Sequence, residues 1–198
     1  LDSIITDLKN ILESIHYLGP LRNSSLRYYD TPSEFPQTVG YRGESAIQVF
    51  FKNKENLTSE IERWLKEIGL AESIKIKKSR ISTGRLLSVE CEDKISHIKV
   101  NLADLGFGTS QILPFIIEGF NAAPGSIIIS EQPEIHLHPN AQSHLADLLV
   151  AISEKNKQII IETHSEHLIL KLQTLIASKK INHADVKIYF LEPIVQKE

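Results

Sequence analysis

The sequence contains no methionine and a single cysteine, Cys91, among its 198 residues. One thiol excludes an intrachain disulfide and a four-cysteine zinc site, and such sparing use of cysteine fits a reducing compartment. A chain that begins at Leu1 and lacks methionine is expected to be a segment of a longer protein. No apolar run approaches the roughly 20 residues needed to cross a bilayer. The opening "LDSIITDLKNILES" is acidic and amphipathic, unlike a secretory leader. A basic excess is missing too: with a formal net charge of −3, nucleic acid can be held only by a local patch. The glycines, Gly19, Gly40, Gly43, Gly69, Gly84, Gly106, Gly108, Gly119 and Gly125, never fall into GxxxxGK[ST]. That loop cradles nucleotide phosphates with its backbone N–H groups and its lysine, so nothing in this chain is expected to hold β- and γ-phosphates by itself.

What is present is a globular composition, 41% hydrophobic and 24% charged, long enough for a real core. Ile4, Ile5, Leu8, Ile11, Leu12 and Ile15 recur at helical spacing and predict a helix over 2–17, ended by Gly19 and Pro20. Residues 22–42 read as a loop. "GESAIQVFF" and "NLTSEIERWLKEIGL" read as helices, the second capped by Asn56 or Thr58. From 72 to 100 the period changes to two, which predicts three antiparallel strands in "SIKIKKSRI", "RLLSVECE" and "SHIKVNL". Beyond Gly106 the pattern becomes α/β, with helices at 109–121, 140–155 and 165–179 and apolar strands at 126–130, 157–163 and 186–192. Such alternation is the mark of a parallel sheet covered by helices. The expected division is 1–100, helical with antiparallel strands, and 101–198, the α/β part, within one truncated domain.

Ligands of open α/β sheets sit at the carboxyl ends of the strands. Glu131, Gln132 and Glu134 leave one strand there, and Thr163 and His164 leave the next. Carboxylates and an imidazole on one rim suit a divalent cation and phosphates; ordinary polar strand ends are the plain alternative. "GFGTSQ", Gly106 to Gln111, puts two glycines before a helix start, where free N–H groups bind anions. A tight turn is the commoner use of such a pair.

Taken together, "LGFGTSQILPF", "SIIISEQPEIHLHPNAQ" and "IIIETHSEHLI", in that order, resemble the carboxyl-terminal lobe of an ABC-type ATPase head. The branch they resemble is the SMC-like and OLD-like AAA-type P-loop ATPases, many of them from bacterial anti-phage defence, and "YLGPLRNSSLRYY" is similar to a segment of that branch. The resemblance implies a three-layer αβα lobe with parallel core strands and the P-loop strand missing. That strand would stand between those at 157–163 and 186–192, leaving a gap or letting the two close together. It implies ATP and Mg²⁺ as ligands and a head-to-tail homodimer closed through ATP. Gly106, Gly108, Thr109, Ser110 and Gln111 then match the signature motif that meets the γ-phosphate bound by the opposite subunit, with Gly106 in place of the usual serine. Glu131 matches the Walker B residue that orders Mg²⁺, "LHPNAQ" the dimer-contact loop, and His164 the switch histidine. Gln132 stands where the family carries a glutamate base. An amide cannot take a proton from water, though glutamine orients water in some GTPases; Glu134 or Glu162 would then supply the base, and hydrolysis would be slow. Other implied partners are the missing amino-terminal P-loop part, DNA and an effector nuclease, with no membrane and a cytoplasmic location.

Two rivals come from different chemistry. His136-x-His138 and His164-x-x-His167, with Glu131 and Glu134, suggest a zinc or manganese hydrolase, although HExxH is absent. An ATP-independent interaction module on the same fold is the other. Lys75, Lys77, Lys78, Arg80 and Arg85 read as a solvated strand face that guards an edge, or as a contact for a DNA backbone.

Overall fold

The computed structural model describes residues 2–81 and 84–191. Its amphipathic start forms α1 (Asp2–Glu13), which stops short of the expected residue 17. Ser14 closes the helix by donating from its hydroxyl and its N–H to the Ile11 carbonyl. Ile15–Leu18 is then extended as β1, paired in parallel with Ile127–Ser130. Ile15 continues the helical phase of Leu8 and Ile11, so periodicity alone cannot separate helix from strand here. The ladder with a neighbouring strand decides it, as tertiary pairing commonly does for isoleucine and tyrosine.

The loop of 22–42 is interrupted only by the short β2 (Tyr29–Asp30). Next come α2 (Ala46–Lys52) and α3 (Lys54–Ile68), where Asn53 takes the cap position expected of Asn56 or Thr58. The antiparallel strands follow as β3 (Ser73–Ile81), β4 (Gly84–Glu92) and β5 (Lys99–Asn101), with β2 and β5 both paired to β4. The α/β part is α4 (Phe107–Asn121), β6 (Ile127–Glu131), α5 (Pro139–Ser153), β7 (Gln158–Glu162) and α6 (Glu166–Ala177).

The strand expected at 186–192 is not formed by its described residues, 186–191. Ile188, Tyr189, Phe190 and Leu191 are exposed there. Apolar β-formers become a strand only when another strand takes their backbone groups, and among the described residues none pairs with the outer edge of β7. Neither a gap between two strands nor their closing together is therefore formed: among the described residues the sheet ends at β7.

The parallel sheet runs β1-β6-β7, and its two faces differ. One carries His16, Leu18, Ile128, Ser130, Ile159 and Ile161 against α4 and α5, with α6 packed on α5. The other carries Ile15, Tyr17 and Ile160, which are 37%, 41% and 46% exposed, so the described residues leave this face open. The core lies on the covered side and is continuous with that of the antiparallel sheet. At its centre α4 is buried along nearly its whole length, which explains a helix apolar on every side. Phe115, Ile116 and Ile117 are fully enclosed, each contributing about 1.5–3 kcal/mol by burial. The Glu118 carboxylate, buried in α4, accepts from the Val39 N–H at 2.7 Å and lies 2.5 Å from His16 Nδ1, which ties α4 to β1.

Candidate functional site

The carboxyl ends of β6 and β7 form one rim. Glu131 and Glu162 are register partners, and the Gln132 N–H extends the ladder by donating to the Glu162 carbonyl at 2.8 Å. The chain then turns through left-handed backbone at Gln132 (φ 43°) and again at His136 (φ 62°). Two non-glycine residues in that region within one loop hold strain that the surroundings must maintain, a pattern common at working sites.

Each expected site residue has a definite place on this rim or beside it. Glu131 is half-buried, and one of its oxygens accepts from the Tyr17 hydroxyl on the neighbouring β1. That bond, reinforced by the carboxylate charge, pushes the Tyr17 phenol up to about 12. Glu134 turns inward, 7% exposed, and its Oε1 accepts from Thr163 Oγ1 at 2.7 Å and from the His164 N–H at 2.9 Å. It therefore braces the loop after β6 against the end of β7. The His164 side chain points to solvent, 80% exposed, with Nε2 3.7 Å from Glu162.

The segment from Gly106 to Gln111 opens α4, and its residues divide. Gly106 and Phe107 face solvent, whereas Gly108, Thr109, Ser110 and Gln111 are buried. Gly108 presses on the loop after β6: a Cβ there would lie 2.7 Å from the His136 carbonyl oxygen. The Phe107 ring meets the His136 ring edge-on at 4.8 Å. The Ser110 hydroxyl accepts from the Ser25 N–H. Gln111 forms a reciprocal pair with Arg22, accepting from its N–H at 3.1 Å and donating to its carbonyl at 3.0 Å.

Arg22 is the residue that sequence reasoning missed. Only 4% exposed, it donates from Nη2 to Ser130 Oγ at 2.7 Å and to the Glu131 carbonyl at 2.9 Å. Burial lowers its guanidinium to about 10, opposed by the charges of Glu134 and Glu131, so it stays cationic at neutral pH. The signal that could have found it is its place in "YLGPLRNSSLRYY", the segment that carries part of the resemblance.

The histidine cluster does not converge. His136 is engaged with Phe107, and His138 caps α5 through its ring nitrogen. Among the described residues no group of three His, Cys, Asp or Glu side chains stands close enough to hold a metal ion. Of the basic residues on β3 and β4, Lys77 pairs with Glu90 at 2.5 Å and Lys78 lies over the Phe51 ring. Among the described residues, no helix is long and apolar enough to cross a membrane.

An AAA ATPase domain family matches residues 3–169, most of the chain. The chain belongs to that family. The match spans the rim, the α4 start and the Arg22 segment alike. Curated proteins give no match. Among solved structures, the chain resembles the Smc head domain of Pyrococcus furiosus bound to the C-terminal domain of ScpA, with 15% identity, 65% of this chain and 32% of that one covered, and a TM-score of 0.47. It also resembles an SMC ATPase from a study of ATP-driven dimerization and DNA-stimulated activation, with 19% identity, 62% and 76% covered, and a TM-score of 0.49. A third is the Smc head domain of Pyrococcus yayanosii, with 16% identity, 65% and 25% covered, and a TM-score of 0.46. The chain spans about a third of the length of the first of these.

Proposed function

We propose that this AAA ATPase family chain is the carboxyl-terminal lobe of an ABC/SMC-like ATPase head, that two copies close head to tail on ATP, and that hydrolysis is slow. The observation that carries this reading is the shared rim: Glu131, Gln132 and His164 leave adjacent parallel strands, with the Gly108 helix start packed on the loop between. In this reading the exposed Gly106–Phe107 end of α4 meets the γ-phosphate held by the other copy, as the positive end of a helix favours. The Glu131 oxygen not engaged by Tyr17 is a hard donor of the kind Mg²⁺ takes, directly or through water. Gln132 orients the attacking water and accepts no proton from it. The exposed Glu162 then serves as the base beside His164, and Glu134 as the brace of the loop.

The cradle for the β- and γ-phosphates comes, in this reading, from the amino-terminal P-loop part of the same protein. Its strand would pair with the free edge of β7, and its helix would cover Ile15, Tyr17 and Ile160. Residues 101–198 carry the site and 1–100 support it. A cytoplasmic setting in DNA-linked or phage-defence machinery, with DNA or an effector nuclease as partner, extends the same reading. The test is sedimentation and turnover of the full-length protein with and without ATP and Mg²⁺. ATP-dependent dimers with slow turnover that Gln132→Glu accelerates are expected. Fast wild-type turnover indifferent to Glu162→Ala, or micromolar ATP binding by the 198-residue chain alone, would overturn it.

A further inference from the structure

Arg22 touches both the start of α4 and the end of β6 without being open to any ligand. Through its backbone it is clamped to Gln111, one turn into α4, by two hydrogen bonds; through its side chain it holds Ser130 Oγ and the Glu131 carbonyl at the end of β6. It is thus the physical link between the helix start and the strand end. The link is only partly satisfied. Among the described residues, Arg22 Nε and Nη1 find no hydrogen-bond partner, and neither does Oε2 of the buried Glu134, whose charge acts on the guanidinium. A buried polar network with donors and an acceptor unmatched is costly to keep.

We propose that Arg22 is a positioning residue for nucleotide hydrolysis: it fixes the Ser130–Glu131 peptide relative to the start of α4, so that contact made at α4 is felt by the Glu131 and Gln132 side chains. This rests on the ATPase reading above. In a head-to-tail dimer the α4 start of one copy faces the nucleotide of the other, so the link joins the two nucleotide sites. Because the Arg22 side chain is enclosed, it adds no ground-state binding of its own; it sets the direction in which Glu131 and Gln132 leave the strand.

The experiment uses the full-length protein, with Arg22→Met, Arg22→Lys, Gln111→Ala and the Arg22→Lys/Gln111→Ala pair. Each is checked for folding by its melting curve, and for ATP KM, kcat and ATP-dependent association. A loss of about 10- to 100-fold in kcat is expected for Arg22→Met, as for other residues that orient ligating groups, with KM changed less than about threefold. Arg22→Lys recovers part of the rate, because lysine keeps the charge and one reach to Ser130. Gln111→Ala lowers kcat alone, and the pair is no worse than its worse member, since both cut one link. If Arg22→Met does not fold, Arg22→Lys and Gln111→Ala carry the comparison. Additive losses in the pair, or KM rising in step with the fall in kcat, would overturn the coupling. A wild-type protein that turns over no ATP and does not associate on it would instead sink the ATPase reading beneath it.

Discussion

Gly108→Ala sets two opposing effects of known size against each other. Glycine inside a helix is worse than alanine by about 0.5–1 kcal/mol, so on helix propensity alone the substitution stabilises. The structure predicts the reverse. The new methyl would lie 2.7 Å from the His136 carbonyl oxygen and 3.1 Å from Leu137 Cδ2. The first neighbour is backbone, held in left-handed geometry at His136 and tied by the Leu137 N–H to the Glu134 carbonyl. Overpacking costs about 1–3 kcal/mol, and a backbone neighbour that cannot swing aside puts this site in the upper half, about 2–3 kcal/mol, which leaves a net loss of about 1–2.5 kcal/mol after the propensity gain. For a chain of this size that lowers the melting temperature by about 2–10 °C. Gly106→Ser is the internal control. Gly106 has open space around its missing Cβ and φ −54°, ψ 146°, and serine there supplies a cap oxygen, so stability holds or rises by up to about 1 kcal/mol. Melting both variants of the 198-residue chain beside wild type decides the matter. A Gly108→Ala protein that melts at or above wild type, or a Gly106→Ser protein that loses as much as Gly108→Ala, refutes the close-packing argument.

The remaining predictions concern the rim. Glu134→Ala removes the acceptor for Thr163 and the His164 N–H and one of the two carboxylate charges acting on Arg22, so a loss of about 1–3 kcal/mol is expected in chemical denaturation. Glu134→Gln keeps an acceptor and should cost clearly less; equal losses would show that the charge is irrelevant. In ultraviolet titration the Tyr17 phenol ionises near 12, because the Glu131 carboxylate favours its protonated form. Glu131→Gln should bring that step down towards the ordinary value of about 10, with Tyr17→Phe identifying it, and an unchanged titration would place the cause elsewhere.

Elements that announce themselves by period were legible. The helices over residues 107–121, 139–153 and 166–177 and the isoleucine strands between them stand within a few residues of expectation, because each carries its apolar residues as a short continuous run or at helical spacing. β1 was hidden, since Ile15 fits the stripe of the preceding helix and its strand state depends on β6, which lies more than a hundred residues further along. The segment 186–191 erred in the opposite direction: it has the composition of a strand and lacks, among the described residues, a neighbour to pair with. Strand ends could be read as a rim, which brought Glu131, Gln132 and His164 together. How their side chains are held could not. Tyr17 and Glu131 stand 114 positions apart, and Arg22 and Ser130 108 apart, so no local pattern records either contact. Gln111 was expected among the ligand-facing residues, and its burial against Arg22 came from the same long-range packing.

The bare side of the three-stranded sheet also governs how the chain behaves when handled alone. An extended edge with unsatisfied amides invites any strand of suitable direction, and isoleucine and tyrosine beside it reward contact with a second greasy surface. With that side left uncovered by the described residues, this polypeptide would tend to stack sideways into larger particles. Colloidal behaviour, and not the folding equilibrium, would then set the concentration at which it can be studied.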